Sequence, residues 1–295
     1  MSSNQSADFV LDHIIIFVRD LPRTERAFVD LLGLQITSNA DHPGFGTRNG
    51  AIAFELGFLE LLTDADPAEL GASRYGRVLL ERRARRGDSP AVFVFRTPAL
   101  DDVIAQCKAR GGHCEDSLIG YSRGADGIAH EWKAFFMPGT EPVYLSPRMP
   151  VLARARTRPA KTPGDHPLGA RRIEGVVIAV EDLEATVEFY RVQLGLEAPR
   201  LEARGDARTA RWLLPQAGQH LIAAAPQSAR SDLSGHLSRF GEGIHSIVLG
   251  VRDVEAAVVE LERRGGRGPN IEWLGGLPGT DPDPAANTRL VLCEG

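Results

Sequence analysis

The strongest constraint on this chain is that it repeats itself. Residues 11–34, LDHIIIFVRDLPRTERAFVDLLGL, and residues 173–196, IEGVVIAVEDLEATVEFYRVQLGL, follow one plan: a β-branched strand pattern, an Asp-Leu pair, an amphipathic helix, then Leu-Gly-Leu. Leu32 follows Asp20 at the same separation, twelve residues, as Leu194 follows Asp182. Two weaker copies, AVFVFRTPALDDVIAQCKARGG at 91–112 and HSIVLGVRDVEAAVVELERRGG at 245–266, repeat the strand, polar cap, helix and glycine stop. The physics agrees within each copy. Asp20, Asp182 and Asp253 stand where a carboxylate accepts the free N–H groups of a helix start. Ala27, Phe28, Leu31 and Leu32 recur at helical spacing, as do Val187, Phe189, Tyr190 and Leu194. Gly33, Gly111, Gly195 and Gly265 supply left-handed stops. A repeat of this kind constrains architecture before any single residue does.

After each helix the chain returns to short strand patterns. The first copy gives LQITSN, TRNGAIAFEL and GFLELLT; the second gives IAHEWKAFF and PVYLS. The third gives TARWLLP and HLIAAAP; the fourth gives NIEWL and TRLVLCE. The expected fold is therefore α+β, four βαβββ units in two pairs. Units 9–65 and 90–150 make an N-terminal domain at 9–150, and units 173–226 and 243–295 make a C-terminal domain at 173–295. Residues 151–172, rich in Pro and Arg without apolar periodicity, read as a linker. Residues 64–90 read as a connector with a helical stretch around Tyr75 to Arg85.

Composition narrows the function classes. With 295 residues, 34 Lys and Arg against 39 Asp and Glu, and a net charge of −5, the chain is neither disordered nor a basic nucleic-acid binder. The run Arg82-Arg83-Ala84-Arg85-Arg86 reads as a solvated helix face rather than a phosphate site. No apolar run reaches the ~18 residues of a membrane span, and the start, MSSNQSADFVLDH, has no signal-peptide pattern. Cys107, Cys114 and Cys293 lack metal-type spacing and read as free thiols of a cytoplasmic protein. P-loop, dinucleotide and Gly-x-Ser-x-Gly motifs are missing, and Gly275–Gly279 reads as a turn.

Four such units in pairs, with LDHIIIFVRDL, HPGFGTRN and FLELL in the first, resemble the vicinal oxygen chelate superfamily. Its members include glyoxalase I, extradiol dioxygenases, methylmalonyl-CoA epimerase and bleomycin-resistance proteins. The resemblance spans about residue 9 to 295 and is closest to the glyoxalase-like subgroup. It implies two incomplete barrels, each a cup made by two units, and a divalent metal (zinc, nickel, manganese or iron(II)) that helps transform a small oxygenated metabolite. It implies a lyase, isomerase or dioxygenase, with a homodimer among the assemblies it allows. The other branch of the superfamily implies a metal-free binding or sequestering protein.

The superfamily takes metal ligands from a His in a unit's first strand and a Glu in its last. His13 and Glu60 match both positions, so the resemblance assigns them to metal and gives Glu60 a second role as catalytic proton shuttle. Strand parity puts Leu11, His13, Ile15 and Phe17 on one face, and Phe58, Glu60 and Leu62 on one face. A strand carboxylate between leucines needs a partner, because burying it ionised and alone costs several kcal/mol. Either it shares a cup with His13, or it faces solvent while His13 bonds to backbone. His42, Arg48 and Asn49, in a glycine-rich loop, either hold a substrate carboxylate or carbonyl or make a capped tight turn. His130 and Trp132 share a strand face and line the cup, or sit as an exposed His beside a core Trp. Tyr144 is a hydrogen-bond donor at the second carboxylate position, or a packed core residue. In the second domain Gly175, Ser246 and Ile222 occupy the ligand positions, and His245 falls one residue off, on the opposite face. Cys293 and Glu294 are its only last-strand alternatives. The ligand set is incomplete, and the function is expected in the N-terminal cup.

Overall fold

The computed structural model describes residues 9–113, 118–125, 127, 129–135, 150–155, 163–282 and 285–295. Tyr144 and Cys114 lie outside them. The first unit runs β1 (Val10–Phe17), α1 (Leu21–Asp30), β2 (Ser38–His42), β3 (Thr47–Ala53) and β4 (Phe58–Asp64). Helices α2 (Pro67–Ala72) and α3 (Arg74–Arg86) follow, then β5 (Ser89–Arg96), α4 (Leu100–Ala109), β6 (Leu118–Gly124), β7 (Ala129–Phe135) and β8 (Pro150–Ala155). The second half runs β9 (Ala170–Ala179), α5 (Leu183–Leu194), β10 (Arg200–Arg204), β11 (Ala207–Leu214) and β12 (Gln219–Pro226). It ends with α6 (Asp232–Phe240), β13 (Gly243–Val251), α7 (Val254–Arg264), a 3-10 turn at Glu272–Leu274 and β14 (Leu290–Glu294).

The expected helix starts hold. The Asp20 carboxylate accepts from the Arg23 N–H at 2.9 Å, Asp182 from Ala185 at 2.8 Å, and Asp253 from Ala256 at 2.9 Å. Gly195 and Gly265 end α5 and α7 in the left-handed conformation, φ 68° and 77°, where a Cβ would be strained. Phe28, Leu32 and Leu34 are fully buried, and each such side chain contributes roughly 1.5–3 kcal/mol.

Two mixed sheets result, in the paired-unit arrangement of the vicinal oxygen chelate fold. The first closes on itself in the order β1-β4-β3-β2-β6-β7-β8-β5; the second stays open as β10-β11-β12-β9-β13-β14. Their registers repeat. In β1 against β4, His13 faces Phe58 and Ile15 faces Glu60; in β9 against β12, Gly175 faces His220 and Val177 faces Ile222. One apolar cluster runs through both halves, joining Leu11, Phe93 and Phe95 to Val176, Ile178 and Leu249. Gln219 bridges them: its side chain accepts from the Leu11 N–H at 2.9 Å and donates to the Leu11 and Ile173 carbonyls at 3.0 and 2.8 Å. Among the described residues no helix is long and apolar enough to cross a membrane.

Three expectations change. The segment 151–172 is not simply a linker: its first residues belong to β8, which pairs with β5 and β7 in the ring, and its last belong to β9. Between them Gly164 and Leu168 donate to the Ala53 and Gly33 carbonyls at 2.9 and 3.2 Å. NIEWL is a turn rather than a strand, because Leu274 and Gly276 fold back to donate to Ile271. The basic run is not a solvated face either. Arg82 is buried and donates to the Ala91 carbonyl, Arg83 pairs with Asp64 and stands 4.6 Å over the Phe17 ring, and Arg86 donates to the Glu242 carbonyl at 2.7 Å.

Candidate active site

Register decides which side chains enter the first barrel. With no irregularity between β1 and β4, His13, Ile15 and Phe17 share a face with Phe58, Glu60 and Leu62. Across β3, Ala51 faces Glu60 and Asn49 faces Leu62; across β2, Ala40 faces Asn49 and His42 faces Thr47. All these belong to the inner wall. Leu11 does not. A bulge at Asp12 pairs Leu11 with Phe95 but His13 with Val94, so Leu11 turns to the outer face.

The polar residues of that wall meet at Glu60, which is 6% exposed. His13 Nε2 stands 3.4 Å from one carboxylate oxygen, and His42 Nε2 stands 3.7 Å from the other. The Asn49 amide donates to the oxygen on the His42 side and lies 3.4 Å from His42 Nε2. The opposite placement of that amide would set its oxygen against the carboxylate, so the donor orientation is fixed. Asn49 Oδ1 is then buried without a hydrogen-bond partner. Each imidazole is oriented from behind: His13 Nδ1 by Asp12 at 2.9 Å, His42 Nδ1 by the Thr47 hydroxyl at 2.9 Å. Phe58 stacks on His13 with ring centroids 4.4 Å apart.

The electrostatics follow. Burial raises the Asp12 pKa, but hydrogen bonds and charge from His13 and Arg96 outweigh it and hold the carboxyl below its ordinary range. An ionised Asp12 accepts the Nδ1–H of His13, which turns the Nε2 edge of the ring to Glu60. Two electron-rich atoms 3.4 Å apart need a proton or a cation between them. A His held by a carboxylate behind it is also how proteins orient metal ligands.

This donor set fits a divalent ion only in part. His13 and Glu60 suit one, since ligands about 2.0–2.2 Å from a tetrahedral ion stand roughly 3.3–3.5 Å apart. A third ligand is the difficulty. The Asn49 amide occupies the wedge between His42 and Glu60, and among the described residues no three His, Cys, Asp or Glu groups form a metal-holding set. A catalytic metal ordinarily needs three protein ligands. Among the described residues no complete metal centre is made.

The remaining candidates separate by face. His130 faces Ser122 and Trp132 faces Gly120 on the inner wall, on β7, opposite β4 in the ring. A Cβ at Gly120 would fall within 2.2 Å of the Trp132 indole, so only glycine lets that ring lie flat there. Phe45, from the loop after β2, meets it at 5.1 Å. Arg48 is turned outward instead, because neighbours on a strand point to opposite faces and Asn49 points in. It lies 3.4 Å from Asp41 in a cavity of about 760 Å³ whose lining includes Asn39, Arg123 and Asn49. Sequence reasoning missed Tyr75. It packs against the apolar core from α3, and burial together with the Glu60 charge pushes its phenol above the ordinary range. Its signal was the helical connector itself, too long for a loop.

In the second half the concave face carries Val177, Ile222, Ala224 and Val248 beneath Leu233 and Trp273. Gly175, Ile222 and Ser246 hold the ligand positions, as expected. His245 is not on the opposite face. A bulge in β13 pairs Ile244 with Ile178 and Ser246 with Val177, which turns His245 to the concave side, 5.5 Å from the Trp273 ring.

Comparison with known proteins follows the same division. Residues 11–194 match the family model described as Glyoxalase-like domain, and residues 172–283 match Glyoxalase/Bleomycin resistance protein/Dioxygenase superfamily. A variant of 4-hydroxymandelate synthase from Streptomyces coelicolor superposes with a TM-score of 0.68 at 16% identity, covering 97% of this chain and 92% of that one. A hypothetical protein from Staphylococcus aureus gives 0.67 at 10% identity, covering 97% and 99%. No curated protein matches the chain.

Proposed function

The chain belongs to the glyoxalase-like domain family of the vicinal oxygen chelate superfamily, and from that premise we propose that it is a lyase or isomerase of a small oxygenated metabolite, working by proton transfer at Glu60 in the first barrel. The observation that carries this is the convergence of His13, His42 and Asn49 on one buried carboxylate. Glu60 takes a proton from a carbon next to a carbonyl and returns it, or passes it on, as the bond order changes. His13, held by Asp12, and His42, held by Thr47, stand at its two oxygens. Asn49 keeps its second oxygen in place. Trp132 and His130 face the substrate from the opposite wall.

Superfamily members often use divalent metals, and His13 with Glu60 is the pair that would hold one here. No step above depends on it, because the third ligand is missing among the described residues. The same gap favours a second reading, a metal-free protein that binds such a metabolite without turning it over.

The test is hydrogen–deuterium exchange at carbon. A panel of α-hydroxy ketones, α-keto acids and β-keto acids is incubated in D2O with the wild type and with Glu60→Gln, and metal content is measured in both preparations. Exchange that falls about 10²–10⁴-fold in E60Q supports proton transfer. Saturable binding of a panel member without exchange, even after metal supplementation, would establish the binding protein instead. Exchange that survives E60Q overturns the role given to Glu60.

A further inference from the structure

We propose that the concave face of the second sheet holds a separate site for a small carboxylate, built around His245. The backbone prepares it. The β13 bulge turns His245 inward, where it is 4% exposed. Its Nε2 lies 2.9 Å from the Asp232 carboxylate and 2.9 Å from Arg289 Nη1, and its Nδ1 lies 3.2 Å from the Ser246 hydroxyl. Arg289 Nη1 also donates to Asp232 at 2.5 Å. The His236 ring, from α6, stands 5.1 Å from the His245 ring, and the Trp273 ring stands 5.5 Å from it on another side.

Three nitrogens on the side chains touching His245 are shielded from solvent and without a hydrogen-bond partner: Trp273 Nε1, Arg289 Nε and His236 Nε2. The first two can only donate. A buried donor left alone costs about 1–3 kcal/mol, so the group that completes this site must be an acceptor. Burial first, then the neighbouring His245 and the charges of Arg86 and Arg289, hold the His236 pKa down to about 3 against the pull of Asp232. That ring is therefore neutral, and its Nε2 donates in the tautomer that carries the proton there. A carboxylate offers two oxygens to these donors, and the Nε edge of a guanidinium suits it geometrically. The opposing charge is Asp232, already shared between His245 and Arg289. Its side chain is 43% exposed, which opens the cluster to solvent at the start of α6. Among the described residues the first barrel has no such cluster. There the residue in the place of His236 is Arg82, which spends a donor on the Ala91 carbonyl beside the matching β5 bulge.

Trp273 is its own reporter. The chain has three tryptophans, so ¹⁵N-indole labelling gives three side-chain resonances, assigned with Trp273→Phe. Full-length protein is titrated with sodium acetate, against sodium chloride at equal ionic strength. The expected result is a saturable shift of the Trp273 resonance alone, with half-saturation at about 1–10 mM, as suits so small an anion. Arg289→Gln should weaken it at least tenfold. Should that variant fail to fold, His236→Ala, which removes one donor, should weaken it about threefold to tenfold. A Trp273 resonance in folded protein that ignores acetate to about 100 mM, or that moves equally with chloride, overturns the proposal. So does a bound water seen at the indole with no acetate response.

Discussion

In the first barrel Ile15 faces Glu60 across β1 and β4; in the second sheet Val177 faces Ile222 across β9 and β12. The backbones are in the same register, and β5 and β13 even carry a bulge at the corresponding place. The side chains have been redistributed. In one half the polar groups sit on the first and last strands of a unit and gather at a carboxylate. In the other those positions are Gly175 and Ile222, and the polar groups have moved to the bulge, to α6 and to Arg289. A duplicated scaffold thus offers equivalent seats, and which seats carry charge decides what each half can do.

The comparison is most sharply broken by putting the first half's carboxylate into the second. Ile222→Glu places a charge among Val177, Ala224 and Val248 with none of the imidazole or amide partners that Glu60 has. The variant should lose about 3–5 kcal/mol in urea unfolding; a loss under 1 kcal/mol would mean that the second concave face is wetter than its packing implies. Restoring a side chain at Gly175 is also resisted, since a Cβ there would lie 2.6 Å from the His220 carbonyl oxygen. Gly175→Ala should cost about 1–3 kcal/mol, whereas His13→Ala should leave the fold intact and act on function.

A smaller effect concerns the strap between the halves. His166 accepts from the Gln35 N–H through Nδ1 at 3.0 Å and donates to the Ala53 carbonyl through Nε2 at 3.0 Å, which requires the neutral ring. Burial lowers its pKa, against the opposing pull of Ala53 and Asp165. The folded state then binds its proton less readily than the unfolded chain. Its contribution is complete above about pH 6.5 and is lost as pH falls below that. Buried His245 and His236, whose pKa values are also lowered, act in the same direction. Urea midpoints should fall on acidification from about pH 7 to 5, and His166→Gln should flatten that slope in part. An unchanged slope would remove His166 from the account. Least of all, Asp20→Ala and Asp182→Ala, equivalent caps of equivalent helices, should each cost about 1 kcal/mol. A marked inequality between them would show that the repeat is not energetically symmetric.

Much of this was legible in the chain. The pairing of His13 with Glu60 came from the family resemblance, and parity supported it because the parallel β1–β4 ladder has no bulge to spoil the count. Leu11 and His245 were misplaced for the converse reason: one extra residue in a strand reverses every face beyond it. Arg48 and Asn49, being neighbours, could not both face inward. The basic run looked solvated because composition does not reveal that α3 packs against the barrel, where Asp64 and the Phe17 ring receive Arg83. Tyr75 had no motif at all, and only tertiary packing brings it under the influence of Glu60.

The ring of the first barrel has one slender joint. β2 and β6 are paired through Ala40 with Gly124 and Asp41 with Arg123, whereas β3 and β4 share seven register positions. A ladder so short can come apart without global unfolding, so these strand amides should exchange with solvent earlier than the rest of the wall. The cavity beside α1 is lined by Ala40, Gly124 and Asn49, so it runs along that joint to the residue that holds Glu60. A hinged seam there would make the wall beside Glu60 the part of the ring that yields first, while the rest of the barrel stays paired.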